Sequence, residues 1–197
     1  MLSSHPVHLL VQRTPSFARV HVVIRLALLL AIGSIGCSSV YWLLYLALPA
    51  LVAILVMQKG GARYVSDAAP RVVHVLRWLA GAYAYLWLLT DALPTTDAVG
   101  PVELVVQVSG TPTAASALSR LLYSLPALIL AAVLSVAAAV LWLVGAIVVL
   151  VKQKMPAAIG DFLTLTLRYQ ARLIAYHLSL VERYPSLEES AVAHAAA

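Results

Sequence analysis

The chain has 197 residues, 62% of them hydrophobic and only 11% charged, with a net charge of +5 and a mean hydropathy of +0.94. That balance lies outside the usual range of soluble globular domains. Its 13 Lys and Arg flank apolar runs instead of forming a basic stripe interleaved with aromatics, which argues against a nucleic-acid partner, and the single Cys37 excludes an intrachain disulfide.

The first 24 residues carry Arg13, Arg19, His5, His8 and His21 without an apolar stretch leading to a small-residue cleavage site, so no cleaved signal peptide is expected. Within them, residues 6–12 alternate Val7, Leu9 and Val11 against His8, Leu10 and Gln12, a period-two pattern that predicts a strand. From Leu26 to Met57 there follow 32 residues without Asp, Glu, Lys, Arg or His. As one straight helix they would extend about 48 Å, against a hydrocarbon core of about 30 Å. A transmembrane hairpin over 18–57 is therefore expected, turning near Gly33 to Ser39. A helix over 70–90 closes the unit before Pro94.

The second half runs through the same elements. A strand is predicted at 101–108, able to pair with the first, then a second charge-free run, Leu121 to Val151, read as a hairpin over 115–151. The competing reading is an interfacial helix up to Pro126 followed by one tilted span. Charge placement favours hairpins, because two crossings per unit would keep every cation cluster and both termini on the cytoplasmic face. The last helix, 159–183, places Asp161, Thr164, Arg168, Arg172, Ser179, Glu182 and Arg183 within one arc, as expected of an amphipathic helix lying on the membrane surface. Residues 186–197 are expected to be a flexible tail.

These halves align. Pro6 to Gln12 matches Pro101 to Gln107 at an offset of 95, as do Arg25 with Arg120 and Lys59 with Lys154. Past Gly60 and Gly61 the offset becomes 91, pairing Arg77-Trp78 with Arg168-Tyr169, Tyr85 with Tyr176, Asp91 with Glu182 and Pro94 with Pro185. Ordered matches needing one gap indicate two tandem units, 1–95 and 96–185. The fold class expected is an all-α integral membrane protein of two tandem repeats, each a short β-strand, a transmembrane helical hairpin and an interfacial amphipathic helix.

Gly160-Asp161-Phe162, then Arg168-Tyr169, Arg172, Ala175-Tyr176, Leu180 and Arg183-Tyr184-Pro185, resembles a bacterial membrane family catalogued as domain of unknown function 4389. That resemblance implies an apolar hairpin followed by this signature, often in tandem, and implies no activity. The first unit keeps Arg77-Trp78, Ala84-Tyr85, Leu89 and Pro94, but has Gly81 at the position of the second Arg.

Chemistry-bearing patterns are sparse. All eight acidic residues lie outside the two charge-free runs, against a proton-coupled midplane site. His5 and His8 supply two candidate ligands without a third, so no metal and no cofactor is expected, and no catalytic residue either. The expected function is a non-catalytic scaffold or accessory subunit of the bacterial inner membrane. Its expected partners are membrane lipids, another membrane protein or its own copies, and no nucleic acid. The alternative is a small channel or lipid-handling transporter with a pathway between the hairpins. Arg77, Trp78, Arg168, Tyr169, Arg172 and Arg183 are the candidates for binding an anionic headgroup or a partner.

Overall fold

A computed structural model of the chain describes residues 5–34, 37–94 and 100–187, and from 30 to 45 the backbone course alone. Its elements are β1 (Val7–Val11), α1 (Arg19–Ser34), α2 (Cys37–Lys59), the short α3 (Gly61–Arg63) leading through a π-helical turn (Tyr64–Ala68) into α4 (Ala69–Leu86), β2 (Val102–Val106), α5 (Ala114–Tyr123), α6 (Leu125–Lys152) and α7 (Ala157–His177).

The period-two segments form the expected small sheet. β1 and β2 pair antiparallel, with Val7 opposite Val106, Leu9 opposite Leu104 and Val11 opposite Val102. The ladder extends at both ends through Gln12 N–H to the Pro101 carbonyl (2.7 Å) and Gln107 N–H to the Pro6 carbonyl (2.9 Å). Val7, Leu9 and Leu104 turn inward and are buried, because alternate positions of a strand share one face.

Local chemistry sets the helix boundaries. α5 opens on a capping box in which Thr113 and Ser116 exchange side-chain and backbone bonds. It stops at Ser124, and α6 restarts at once with Pro126 in its first turn, where the missing N–H costs nothing. α6 ends on Gln153 in the left-handed region, whose carbonyl accepts from Phe17 N–H and ties this end to the segment before α1.

α7 runs through the middle of the molecule. Its Leu163, Leu167 and Ala175 pack with Val7 and Leu9 of β1, Ala80 and Ala84 of α4, and Ala138, Trp142 and Val149 of α6. α2 packs against α5, α1 against α6, α4 on β2 and α7 on β1. Neighbours therefore alternate between the two halves of the chain.

Two expectations fail. The protein is mostly helical with a two-stranded sheet, and it is not an all-α molecule of two transmembrane hairpins. Among the described residues one helix, α6, is long and apolar enough to cross a membrane; Leu46–Lys59 and Gly61–Leu86 qualify only as a pair bent by 115°. The cause lies in the opening segment of each run. At 16 and 10 residues, α1 and α5 extend about 24 and 15 Å, short of a core of about 30 Å. Each also carries a buried arginine, Arg25 or Arg120, fixed to backbone carbonyls elsewhere in the chain. In the second half the run breaks at Ser124, giving a short helix and one long one, as in the competing reading. The turn expected at Gly33 to Ser39 falls partly on residues 35 and 36, outside the described residues.

The last helix of the second half was expected on the membrane surface, and it instead packs inward. Leu163, Thr166, Leu167, Tyr169, Arg172, Leu173 and Ala175 of α7 are all buried. Ser179 is left-handed at φ 52, so α7 has ended before Glu182 and Arg183, and the predicted charged arc has no continuous helix to lie on. α4 likewise stops at Leu86, with Leu88 at φ 59.

Candidate functional site

The chain ends of α4 and α7 are built alike. Leu89 N–H bonds the Ala84 carbonyl and Leu88 N–H the Tyr85 carbonyl; Leu180 and Ser179 bond Ala175 and Tyr176 in the same way. This is a Schellman closure, with Leu88 and Ser179 in the left-handed position that glycine usually takes. A non-glycine there is strained, so the surroundings must hold it. An arginine does so at both ends. Arg25, with no solvent exposure, donates from Nη2 to the Thr90 carbonyl and to Asp91 Oδ1, both at 2.7 Å, and stands 4.1 Å from the centre of the Tyr85 ring. Arg120, 8% exposed, donates from Nη1 to the carbonyls of Tyr176 (2.7 Å) and Val181 (2.6 Å), and stands 4.6 Å from the Tyr176 ring. Burial lowers the Arg120 pKa, and the Tyr176 and Glu182 side chains act the other way.

A second group of cations gathers where β1 meets α7. Arg172, 1% exposed, donates from Nη1 to the Ser186 carbonyl at 2.6 Å. Half-buried Arg168 and Arg183 lie in the same region, where their fields reach the two histidines of the N-terminal segment. Burial, reinforced by the Arg172 charge, pushes His5 down to about 4, and lowers His8 as well. His5 is therefore neutral at pH 7, with Nδ1 accepting from Val7 N–H at 3.1 Å. Arg168, Arg172 and Arg183 are brought together, while Arg77 and Trp78 sit apart on α4. Arg77 Nε is committed to the Leu104 carbonyl at 3.0 Å, and Trp78 is 43% exposed. Tyr169 is buried with its hydroxyl donating to the Ala127 carbonyl at 3.1 Å, so it joins α7 to α6.

The signature around α7 acquires physical meaning here. Gly160 leaves room for the Arg13 guanidinium, which pairs with Asp161 next door. Phe162 packs into the core, Tyr184 stands edge-on to Tyr176 at 5.7 Å, and Pro185 is buried. In the first half Gly81 replaces the second arginine, and Pro94 fills the space beside it, its Cβ 3.3 Å from where a Gly81 side chain would begin. The cation cluster is thus specific to the second half.

A third feature faces outward. On α6, Leu125, Ile129, Val133, Val136, Val140, Leu143, Val144, Ile147 and Val151 form one exposed stripe, with no charged residue between Leu121 and Val151. At 1.5 Å per residue it is about 39 Å long. α1 adds Val20, Val23 and Ile24, and α2 adds Leu51, Ile54 and Met57. Isolated exposed aliphatics are ordinary on soluble proteins, whereas α6 carries these along one face over its whole length.

Among the described residues no group of three His, Cys, Asp or Glu is close enough to hold a metal ion. The buried roles of Arg25 and Arg120 do not follow from their places beside the apolar runs. The signal was present in the alignment, which pairs Arg25 with Arg120, Tyr85 with Tyr176 and Asp91 with Glu182.

Residues 114–187, covering α5, α6, α7 and the chain after them, match the family model described as a domain of unknown function, DUF4389. No curated protein and no solved structure matches the chain.

Proposed function

We propose that this chain is a membrane-embedded scaffold or accessory subunit of a bacterial cytoplasmic membrane, without catalysis of its own, whose outward apolar surface is covered by lipid and by another membrane protein or a second copy. The observation that carries this reading is the exposed stripe on α6, which would be untenable in water. Lys152 and Lys154 follow the stripe at its C-terminal end and would face the cytoplasm with its anionic headgroups. The same reading makes Arg168, Arg172 and Arg183 a basic patch, not a reaction centre, because among the described residues no nucleophile and base stand paired beside them.

We also propose that the architecture is a tandem duplication. Its support is the equivalence of the two clamps: Arg25 to the Thr90 carbonyl and over Tyr85 corresponds, at offsets of 95 and 91, to Arg120 to the Val181 carbonyl and over Tyr176. The sheet has the same relation, since Leu9 and its equivalent Leu104 face each other across the ladder.

The test is membrane retention combined with native mass spectrometry. The wild-type chain is expected to stay in the pellet after alkaline extraction. Val140→Arg, in the middle of the stripe, should reduce its retention, since a central arginine costs about 2.5–3.5 kcal/mol on insertion scales. Release of the wild type by alkaline wash would overturn the membrane reading. Only monomers without co-purifying protein, both in mild detergent and in the source membrane, would overturn the scaffold.

A further inference from the structure

Between α4 and α7 lies a groove of about 510 Å³ that none of the features above uses. The two helices run antiparallel beside it: Tyr64, just ahead of α4, donates its hydroxyl to the carbonyl of Leu178, just past the end of α7. The walls are Val72, Leu76 and Leu79 from α4 and Leu167, Ala171 and Ile174 from α7, with Leu104 of β2 and Leu48 of α2 completing the lining. Polar character is confined to Arg71 and Tyr83 towards the two ends of the α4 wall and to Gln170, whose amide nitrogen is already committed to Ser135 Oγ at 3.0 Å. Arg71 is exposed at the end beside Leu178 and, among the described residues, makes no ion pair. The carboxylate of nearby Asp67 is instead bonded by the Ser66 hydroxyl at 2.7 Å.

We infer that this groove seats one acyl chain of an anionic glycerophospholipid, with the phosphate held at its mouth by Arg71. Length and lining select the occupant. The α4 wall from Arg71 to Tyr83 is about 18 Å long at the helical rise, close to one leaflet of a hydrocarbon core about 30 Å thick. Along that length the lining is apolar side chain, with polar groups only at the ends and at the already bonded Gln170, which suits extended hydrocarbon and offers no partner to a polar ligand. A concave apolar slot with one cation at its rim is the pattern that orients an amphipathic ligand, with the wall supplying affinity and the charge supplying direction. Leu48 belongs to α2, whose Leu51 and Ile54 are part of the outward apolar surface, so the groove borders the region assigned to lipid.

The inference rests on the membrane reading, and alkaline extraction tests that reading separately. The direct experiment uses the full chain purified in mild detergent, titrated by native mass spectrometry with dimyristoyl phosphatidylglycerol and with phosphatidylcholine of the same chains. One tight adduct is expected, preferring phosphatidylglycerol. Arg71→Gln should keep the adduct and reduce the preference about fivefold, the value of one interfacial cation–lipid contact. Ala171→Trp, which fills the slot, should abolish the adduct while membrane retention persists. Should that variant fail to fold, phosphatidylglycerol carrying a photoreactive group at its chain end reads the wild type directly. Cross-links within α4 and α7 uphold the site, and cross-links confined to the outward stripe of α6 overturn it. An adduct unchanged in a folded Ala171→Trp chain, or a preference unaltered in Arg71→Gln, also overturns it.

Discussion

Replacing Arg120 by Met removes a charge but keeps much of the length and apolar volume of the side chain, which makes it a direct test of the clamp at the end of α7. The wild-type guanidinium donates to two carbonyls, at 2.7 and 2.6 Å, and lies 4.6 Å from the Tyr176 ring. Hydrogen bonds from a charged donor contribute about 1.5–3 kcal/mol each and a desolvated cation–π contact up to about 2 kcal/mol. Relief of the buried charge offsets part of this sum, while the abandoned carbonyls lose their partner. The net expectation is a loss of about 3–5 kcal/mol, which for a chain of this size lowers the melting temperature by roughly 6–20 °C. The assay is thermal unfolding in mild detergent, followed by circular dichroism, for Arg120→Met, Arg120→Lys and the exposed control Arg19→Met. Lysine should recover only part of the loss, since a single ammonium presents no planar fork to hold two carbonyls and cover a ring. The control should change stability by less than about 0.5 kcal/mol. If Arg120→Lys matches the wild type and Arg120→Met costs under about 1 kcal/mol, the side chain is an interfacial anchor, and the clamp argument fails.

Three further outcomes follow from other contacts. Gly61→Ala would place its Cβ against the Pro112 carbonyl oxygen, where backbone must move; a loss of about 1–3 kcal/mol is expected, read as earlier melting and faster proteolysis near residue 112. The folded pKa of His5, about 4, lies below its ordinary value of 6.5, so the unfolded chain takes up the proton first. Stability should therefore fall as pH drops from about 6.5 towards 4 and level off below. With solvent screening this amounts to roughly 1–2 kcal/mol; His5→Asn, which keeps an acceptor but does not titrate, should flatten the pH profile of the melting temperature over that window. Tyr169→Phe deletes the bond to the Ala127 carbonyl and should cost about 1 kcal/mol in denaturant unfolding with no change in lipid adducts; a lost adduct would return Tyr169 to the headgroup site.

Period two and the repeat offsets carried the sheet: the observed strands fall inside the predicted segments, because alternation at Val7, Leu9 and Val11 reports a local geometry that distant packing seldom reverses. The apolar runs were ambiguous, since a charge-free sequence looks the same whether it crosses a bilayer or packs on a neighbour. Pro126 marks the break before α6, because a proline is at home in a helix's first turn and the charge pattern does not register it. The burial of Arg25, Arg120 and Arg172 is not legible in the sequence for a different reason. An arginine beside an apolar stretch normally snorkels outward, and only a fold that returns a carbonyl to it can bury it, which no spacing reveals. The stripe drawn on α7 failed because one left-handed residue, Ser179, ends the helix ahead of Glu182 and Arg183.

The antiparallel ladder also sets a timetable for synthesis. β1 finds its partner only across 95 positions, Leu9 with Leu104, so the pair cannot close until the ribosome has delivered nearly a hundred more residues. At about 5–20 residues per second that delay is of the order of ten seconds. Throughout it the nascent chain holds an open strand edge beside the long apolar stretch from Leu26 to Met57, a combination prone to misassembly in water. A folding route in which that stretch reaches a lipid surface before β2 emerges would keep the waiting edge apart from other chains, and the closing of the two strands would then be a late event.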